Sequence, residues 1–171
     1  MPTAALPLPT HQPPPTRRIL LAGATMAAID ILYAWVNWVV VQRVITTEQL
    51  FHSISAGVLG REAARAGGTQ TAVLGAFLHV VIAFLWTIGF YLLVRMSPAL
   101  RRWVSTTRGA VLAGLAYGVV VYLGMNYVVV PFSATGRGFP TMNLPFFINL
   151  VQHMLMVGLP IALIIRDGEP R

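Results

Sequence analysis

The chain has 171 residues, of which 56% are hydrophobic and only 10% are charged. Soluble domains carry roughly 25% charged residues, so this composition excludes a protein whose whole surface faces water. The net charge is +7, and the basic residues are all arginines that lie mainly at the ends of apolar runs. This placement indicates membrane orientation and not nucleic-acid binding. There are no cysteines, which excludes disulfides, thiolate metal sites and thiol nucleophiles.

The first predicted element is a proline-rich tail over residues 1–16, without apolar periodicity and predicted to be disordered or polyproline-like. The apolar run that follows, 19–41, is longer than the hydrophobic region of a signal peptide and contains Asp30. We therefore interpret it as a first membrane span that stays in the mature protein.

Four apolar runs are each long enough to cross a bilayer, which takes about 20 residues in a helix. The predicted fold is an all-α membrane protein, a bundle of four transmembrane helices within residues 17–166, followed by a cytoplasmic tail, 167–171. The predicted spans are 19–41, 69–94, 109–130 and 144–165. The positive-inside rule places both termini in the cytoplasm. The arginines on that side are Arg17, Arg18, Arg95, Arg101, Arg102, Arg108, Arg166 and Arg171, against Arg43, Arg61, Arg65 and Arg137 on the other.

Residues 46–66, between the first two spans, predict an amphipathic helix on the extracytoplasmic face. Thr46 and Gln49 fit a capping box. The predicted apolar face carries Leu50, Phe51, Ile54, Val58 and Leu59, and the predicted polar face carries Glu48, His52, Ser55 and Glu62. The segment is either an interfacial connector, which we favour, or a lid over the bundle. His52 is expected to be solvated.

Polar residues inside the spans are the best indication of function. A charge such as Asp30 costs about 3 kcal/mol at the membrane centre by translocon scales. Counted at 1.5 Å per residue, Asp30 and His153 both lie about 18 Å from the cytoplasmic ends of their helices. We therefore predict that they pair, with access from the outer side. The pair either handles a proton or only fixes the helix register. The full predicted cluster is Asp30, Asn37, His79, Asn126, Asn149 and His153.

Small residues predict where the helices approach closely, since membrane bundles depend on such residues for packing. The predicted packing positions are Gly75, Ala83, Ala110, Gly114 and Gly118. The third span carries the last three at four-residue intervals, so this face is a candidate surface for a second copy of the chain or for another membrane protein. Besides the lipid bilayer, these are the partners that the sequence suggests.

Two histidines permit one cofactor. His79 and His153 lie on different helices, as the axial ligands of a bis-histidine haem in a bundle do, but the sequence has no recognisable propionate clamp. The same histidines with Asp30 form no metal-ligand spacing motif, so no metal site is predicted. No nucleophile or phosphate-loop signature is present. We therefore predict no catalytic residues and no enzyme activity.

From the second span onward the sequence resembles the YagU-like family of bacterial inner-membrane proteins. The resemblance covers 75–167 and is carried by LHVVIAFLWTIGFYLLVRMSPAL, GAVLAGLAYGVVVYLGMNYVVVPFS and LPFFINLVQHMLMVGLPIALIIRD. Its most specific points are His79, Pro131-Phe132, Leu144-Pro145, His153 and Arg166-Asp167. It implies a helical, multi-pass inner-membrane protein with a link to acid tolerance, and it implies no catalytic residues.

The sequence thus leaves three functions open. The first is a membrane protein with a titratable interior that handles protons or a small solute. The second is an accessory subunit that binds another membrane protein. The third is a haem-binding redox protein.

Overall fold

The computed structural model describes residues 14–166. Four of its helices are long and apolar enough to cross a membrane, as predicted: Pro15–Val41, Gly68–Met96, Thr107–Val129 and Leu144–Ile165. Most of the predicted proline-rich tail and all of the predicted tail 167–171 lie outside the described residues. The first span begins at Pro15, before the predicted residue 19. Proline is tolerated at the first helical position, where its missing N–H would have no partner in the helix.

Three of the four spans contain a π-helical segment. The first span consists of α1, Pro15–Trp35, and a π-helical turn, Val36–Val41. The second span is α4, Gly68–Met96. The third span consists of α6, Thr107–Gly124, and the π-helical turn Met125–Val129. The fourth span consists of α7, Leu144–Gln152, the π-helical segment His153–Gly158, and α8, Leu159–Ile165.

The predicted helix over 46–66 is two helices, α2, Thr47–Leu59, and α3, Arg61–Ala66. They separate at Gly60, whose φ of 82° is a conformation that favours glycine. The capping box is confirmed: Gln49 N donates to Thr46 Oγ1 over 3.2 Å, and Thr46 N donates to Gln49 Oε1 over 2.9 Å.

The face of α2 that packs against the bundle differs from the predicted one. His52 is 7% exposed and donates from Nε2 to the carbonyl of Gly68 over 2.8 Å, so its predicted solvation is wrong. Ser55 is fully buried, whereas Val58, on the predicted apolar face, is 64% exposed. Close backbone contact decides this orientation, because Gly75 of α4 has no side chain to keep the Phe51 carbonyl away.

An additional short helix, α5, Pro98–Ser105, joins the second and third spans. The spans predicted from the sequence leave 95–108 as a connection that contains Arg95, Arg101, Arg102 and Arg108. Ser97 caps the helix by accepting from Leu100 N over 3.2 Å, and Val104 of this helix is fully buried. Ser97 and Pro98 form a helix start signal, with serine at the N-cap and proline at the first helical position. The long apolar runs on either side made this short signal hard to recognise.

The first span packs between α4 and the fourth span, and the fourth span packs in turn against α6. We call the end with Pro15, α5 and Ile165 the terminal side, and the end with α2 and α3 the distal side. Arg18 Nη1 joins the first and last spans on the terminal side by donating to the Arg166 carbonyl over 3.2 Å. The buried apolar core lies mainly toward the terminal side and includes Ala22, Phe90, Val94, Ile161 and Ile165.

The third and fourth spans approach at glycines. A Cβ at Gly114 would lie 2.9 Å from the Gly158 carbonyl, and a Cβ at Gly118 would overlap the backbone of Met154. Gly158 contacts both glycines in return and was not among the predicted packing positions. Ala83 and Ala110 are fully buried. Gly75 differs from these positions, because it admits the backbone of α2 and not another membrane span.

Candidate functional site

Asp30 accepts a hydrogen bond near the middle of the bundle. Gln152, the last residue of α7, donates from Nε2 to Asp30 Oδ1 over 2.9 Å and so joins the first and fourth spans. Gln152 is only 5% exposed, and Asp30 is partly buried. Within residues 14–166, this neutral amide is the hydrogen-bond partner of the Asp30 carboxyl group.

The predicted Asp30–His153 pair is therefore wrong by one residue. His153 donates from Nδ1 to the carbonyl of Asn149 in its own span over 2.8 Å. Its ring lies against Tyr122 of the third span, with the centroids 5.0 Å apart. The ionisable side chain was predicted to lie inside, whereas the fold buries the neutral amide of Gln152 beside it. A neutral polar group with one hydrogen bond costs less to bury than a charge.

The π-helical segment His153–Gly158 explains this difference. The buried residues of the fourth span include Gln152, Val157 and Ile161, which are spaced by five residues and then by four. In an uninterrupted α-helix the residue four before Val157 is His153, and it would share that buried face. The i→i+5 bonding of a π-helix puts one more residue into the turn, so Gln152 takes the place instead.

His79 bridges the first two spans close to Asp30. Its Nε2 bonds to the carbonyl of Ala27 over 2.9 Å, and Ala27 lies three residues before Asp30 on α1. A carbonyl oxygen only accepts, so Nε2 carries the hydrogen of this bond. His79 thus fixes α1 against α4 about one helical turn from Asp30.

The three predicted asparagines do not join this network. Asn126 Nδ2 donates to the Tyr122 carbonyl over 2.9 Å, and Asn149 Nδ2 donates to the Pro145 carbonyl over 2.8 Å. Asn37 accepts from Gln42 Nε2 over 3.0 Å. All three bonds are local, as is common for short polar side chains on helices. The predicted cluster is thus reduced to Asp30 and His79, with Gln152 added, and His153 is adjacent in sequence.

Three partly buried polar residues lie in the irregular parts of the helices. Asn37, Asn126 and His153 each lie in one of the three π-helical segments. Such segments are often found at functional sites, because they change which residues face the interior. Hydrophobic periodicity counted at 3.6 residues per turn does not reveal them.

An aromatic cluster leads from the distal loop to His153. Phe139 stacks on Tyr127 with centroids 6.0 Å apart, Tyr127 lies 6.5 Å from Phe146, and Phe146 lies 5.1 Å from Tyr122. Tyr122 is the ring that covers His153. These ring contacts join the distal loop to the third and fourth spans.

The described part of the chain contains no group of three or more histidine or acidic residues that could hold a metal ion. For haem, the two histidines present different nitrogens. Nε2 of His79 and Nδ1 of His153 are engaged by carbonyls, which leaves Nδ1 of His79 and Nε2 of His153 for iron.

No family model, curated protein or solved structure matches the chain.

Proposed function

We propose that the chain is an integral membrane protein that takes up and releases a proton at Asp30. The hydrogen bond from Gln152 is the observation that carries this proposal. A carboxylate in an apolar region needs a cation, water or a bound proton, and a neutral amide supplies no charge of opposite sign. The amide N–H donates to the carboxyl group whether that group is ionised or protonated, so the contact survives a change of protonation state.

Access to Asp30 from the distal side is part of the proposal. The buried core supports it, because most of the buried apolar residues lie toward the terminal side. Asp30, Asn126 and His153 are only partly buried in the middle and distal parts of the spans. The arginine distribution supports a cytoplasmic terminal side, which makes the distal side, with α2 on it, extracytoplasmic.

The resemblance to the YagU-like family supports the bacterial inner membrane as the location and acid tolerance as the physiological setting. A protein that moves protons through a carboxyl group would serve such a setting directly. A small solute that moves together with the proton would use the same carboxyl group.

The accessory-subunit alternative relies on the small-residue face of the third span. Gly114 and Gly118 lie against the backbone of the fourth span of the same chain, and Ala110 is fully buried, which supports proton handling over this alternative. No contact in the described residues specifically favours a haem.

Proton flux into proteoliposomes tests the proposal. A pH-sensitive dye inside the vesicles reports the initial rate after an external pH step. We expect the wild-type rate to exceed that of Asp30→Asn several-fold, because the amide keeps the shape of the side chain and cannot ionise. Asn149→Leu, which removes only a bond within its own helix, is the matched control and should keep the wild-type rate. Equal rates for wild type and Asp30→Asn, both at the level of empty vesicles, would overturn it.

A further inference from the structure

In the fourth span, one residue more separates Gln152 from Val157 than separates two side chains on the same face of an α-helix. Both side chains are buried, although they are five positions apart, and the π-helical segment His153–Gly158 accommodates the extra residue. A π-helical segment of this kind can rewind into an α-helix without a change of sequence, because only the hydrogen-bond spacing differs.

We propose that the fourth span exchanges between two registers, a π-helical one in which Gln152 meets Asp30 and an α-helical one in which His153 meets it. The proposal rests on the proposed role of Asp30 in proton uptake. If the segment rewinds while α8 stays in place, every residue before it turns by about 100°, the angle per residue of an α-helix. His153 then occupies the former place of Gln152.

The contacts of the span fit an anchored half and a movable half. Gly158 touches the backbone of Gly114 and Gly118, and Ile161 and Ile165 are buried in the core, so the part from Gly158 onward is held. The part before it joins an irregular loop over 131–143, which can absorb a rotation of α7.

Two neighbouring phenylalanines lower the free-energy cost of rotating α7. Phe146 is 6% exposed and packs against Tyr122, whereas Phe147 is 51% exposed. A shift by one residue places Phe147 where Phe146 was, so the same ring fills the same space. The aromatic contact with the third span is therefore available in both registers.

In the exchange, the partner of the Asp30 carboxyl group changes from Gln152, which cannot ionise, to His153, which can. At neutral pH the π-helical register holds an Asp30 carboxylate and a neutral His153. The α-helical register takes up one proton from the distal solution, which the Asp30 carboxyl oxygen and a ring nitrogen of His153 share between them. Because this register holds one proton more than the other, mild acid should favour it. Neither α7 nor α8 carries another titratable side chain. The other ionisable side chains on the helices around the pair are Arg17, Arg18 and Tyr33 of α1, His79, Tyr91 and Arg95 of α4, and Arg108, Tyr117 and Tyr122 of α6.

Thiol labelling measures the register directly, because the natural chain has no cysteine. Phe146→Cys and Phe147→Cys are prepared as separate variants, and each is labelled with a water-soluble maleimide in proteoliposomes. Each rate is divided by the rate of the same variant unfolded at the same pH, which removes the intrinsic pH effect on the thiol. At neutral pH we expect the thiol at position 147 to react and the thiol at 146 to be protected. In mild acid we expect this order to reverse, with several-fold changes at both positions.

Deletion of Leu155 provides the locked control. This residue is 50% exposed within the π-helical segment, and its removal leaves an α-helix that keeps Gln152 opposite Asp30. In the deletion background the thiol at 147 should react and the thiol at 146 should be protected at both pH values. Normalised rates in the full-length chain that do not change with pH would overturn the two registers.

The two proposals fail in different experiments. Flux that depends on Asp30 together with pH-independent labelling refutes the register exchange and leaves proton handling intact. Labelling that reverses with pH in a protein without flux supports the exchange and refutes proton handling.

Discussion

Gln152 on the fourth span donates from Nε2 to Oδ1 of Asp30 on the first span over 2.9 Å. The bond joins the first and last membrane spans at mid-depth, where both side chains would otherwise lie among apolar neighbours. Interhelical hydrogen bonds in membranes average about 0.6 kcal/mol, so the pair is a modest tether. The bond gives the carboxyl group a hydrogen-bond donor, but it does not neutralise the charge of the ionised carboxylate. That charge is why Asp30 is of functional interest.

Gln152→Leu should destabilise the bundle by about 1–3 kcal/mol, because it leaves the Asp30 carboxyl group without its donor. The free energy of unfolding in mixed micelles measures this loss. Combining Gln152→Leu with Asp30→Leu should recover part of it, since two apolar partners leave no unpaired polar group. Equal stabilities for wild type and Gln152→Leu would show that the bond contributes nothing.

Gly158→Ala should destabilise the contact between the third and fourth spans by about 1–3 kcal/mol, because a Cβ there overlaps the backbone of Gly114 and Gly118. The midpoint of detergent-induced unfolding measures the change. Gly138→Ala is the matched control: nothing lies within 4 Å of a Cβ there, and we expect a change within about 0.5 kcal/mol. A similar midpoint for the two variants would contradict the close packing.

Gly75→Val should release α2 from α4, because a side chain at this position collides with the Phe51 carbonyl. Hydrogen exchange of the amides of Thr47–Leu59 should become several-fold faster, while exchange in α6 stays unchanged. Val73→Ala, on the exposed face of the same helix, is the control and should leave α2 protected. Unchanged protection of α2 in Gly75→Val would mean that other contacts hold this helix.

Tyr117→Phe should cost about 0.6 kcal/mol, since it removes the bond from the hydroxyl to the Trp86 carbonyl over 2.6 Å between the third and second spans. The ring contact with Phe90, at a centroid distance of 4.9 Å, remains and limits the loss. Unfolding in mixed micelles measures this difference, with Trp86→Phe as a separate variant that keeps the accepting carbonyl. A stabilised Tyr117→Phe protein would contradict the inferred bond.

The spans were predictable because length and hydropathy alone define them, as in the fourth span, whose predicted bounds coincide with Leu144–Ile165. The capping box at Thr46 was predictable because its signal is local. In contrast, the orientation of α2 depends on a backbone contact with Gly75 that is distant in sequence. No periodicity within 46–66 contains that information, so its buried face was predicted incorrectly.

The partner of Asp30 was missed for a related reason. The depth estimate brought Asp30 and the region of Gln152 and His153 to the same level, which the hydrogen bond agrees with. Choosing between two adjacent residues required the exact helical phase, and a π-helical segment shifts that phase by one residue. The sequence of a membrane helix therefore predicts the depth of a residue in the membrane more reliably than the direction in which its side chain faces.

The central claim is that Asp30 exchanges a proton inside the membrane, and infrared difference spectroscopy measures this most directly. Spectra of the protein in lipid are recorded in mild acid and in mild alkali, for wild type and for Asp30→Asn. We predict that the wild-type difference spectrum contains a carboxyl C=O band, that this band shifts in Gln152→Leu because the donor is lost, and that it is absent in Asp30→Asn. A difference spectrum that is identical in wild type and Asp30→Asn would contradict the claim.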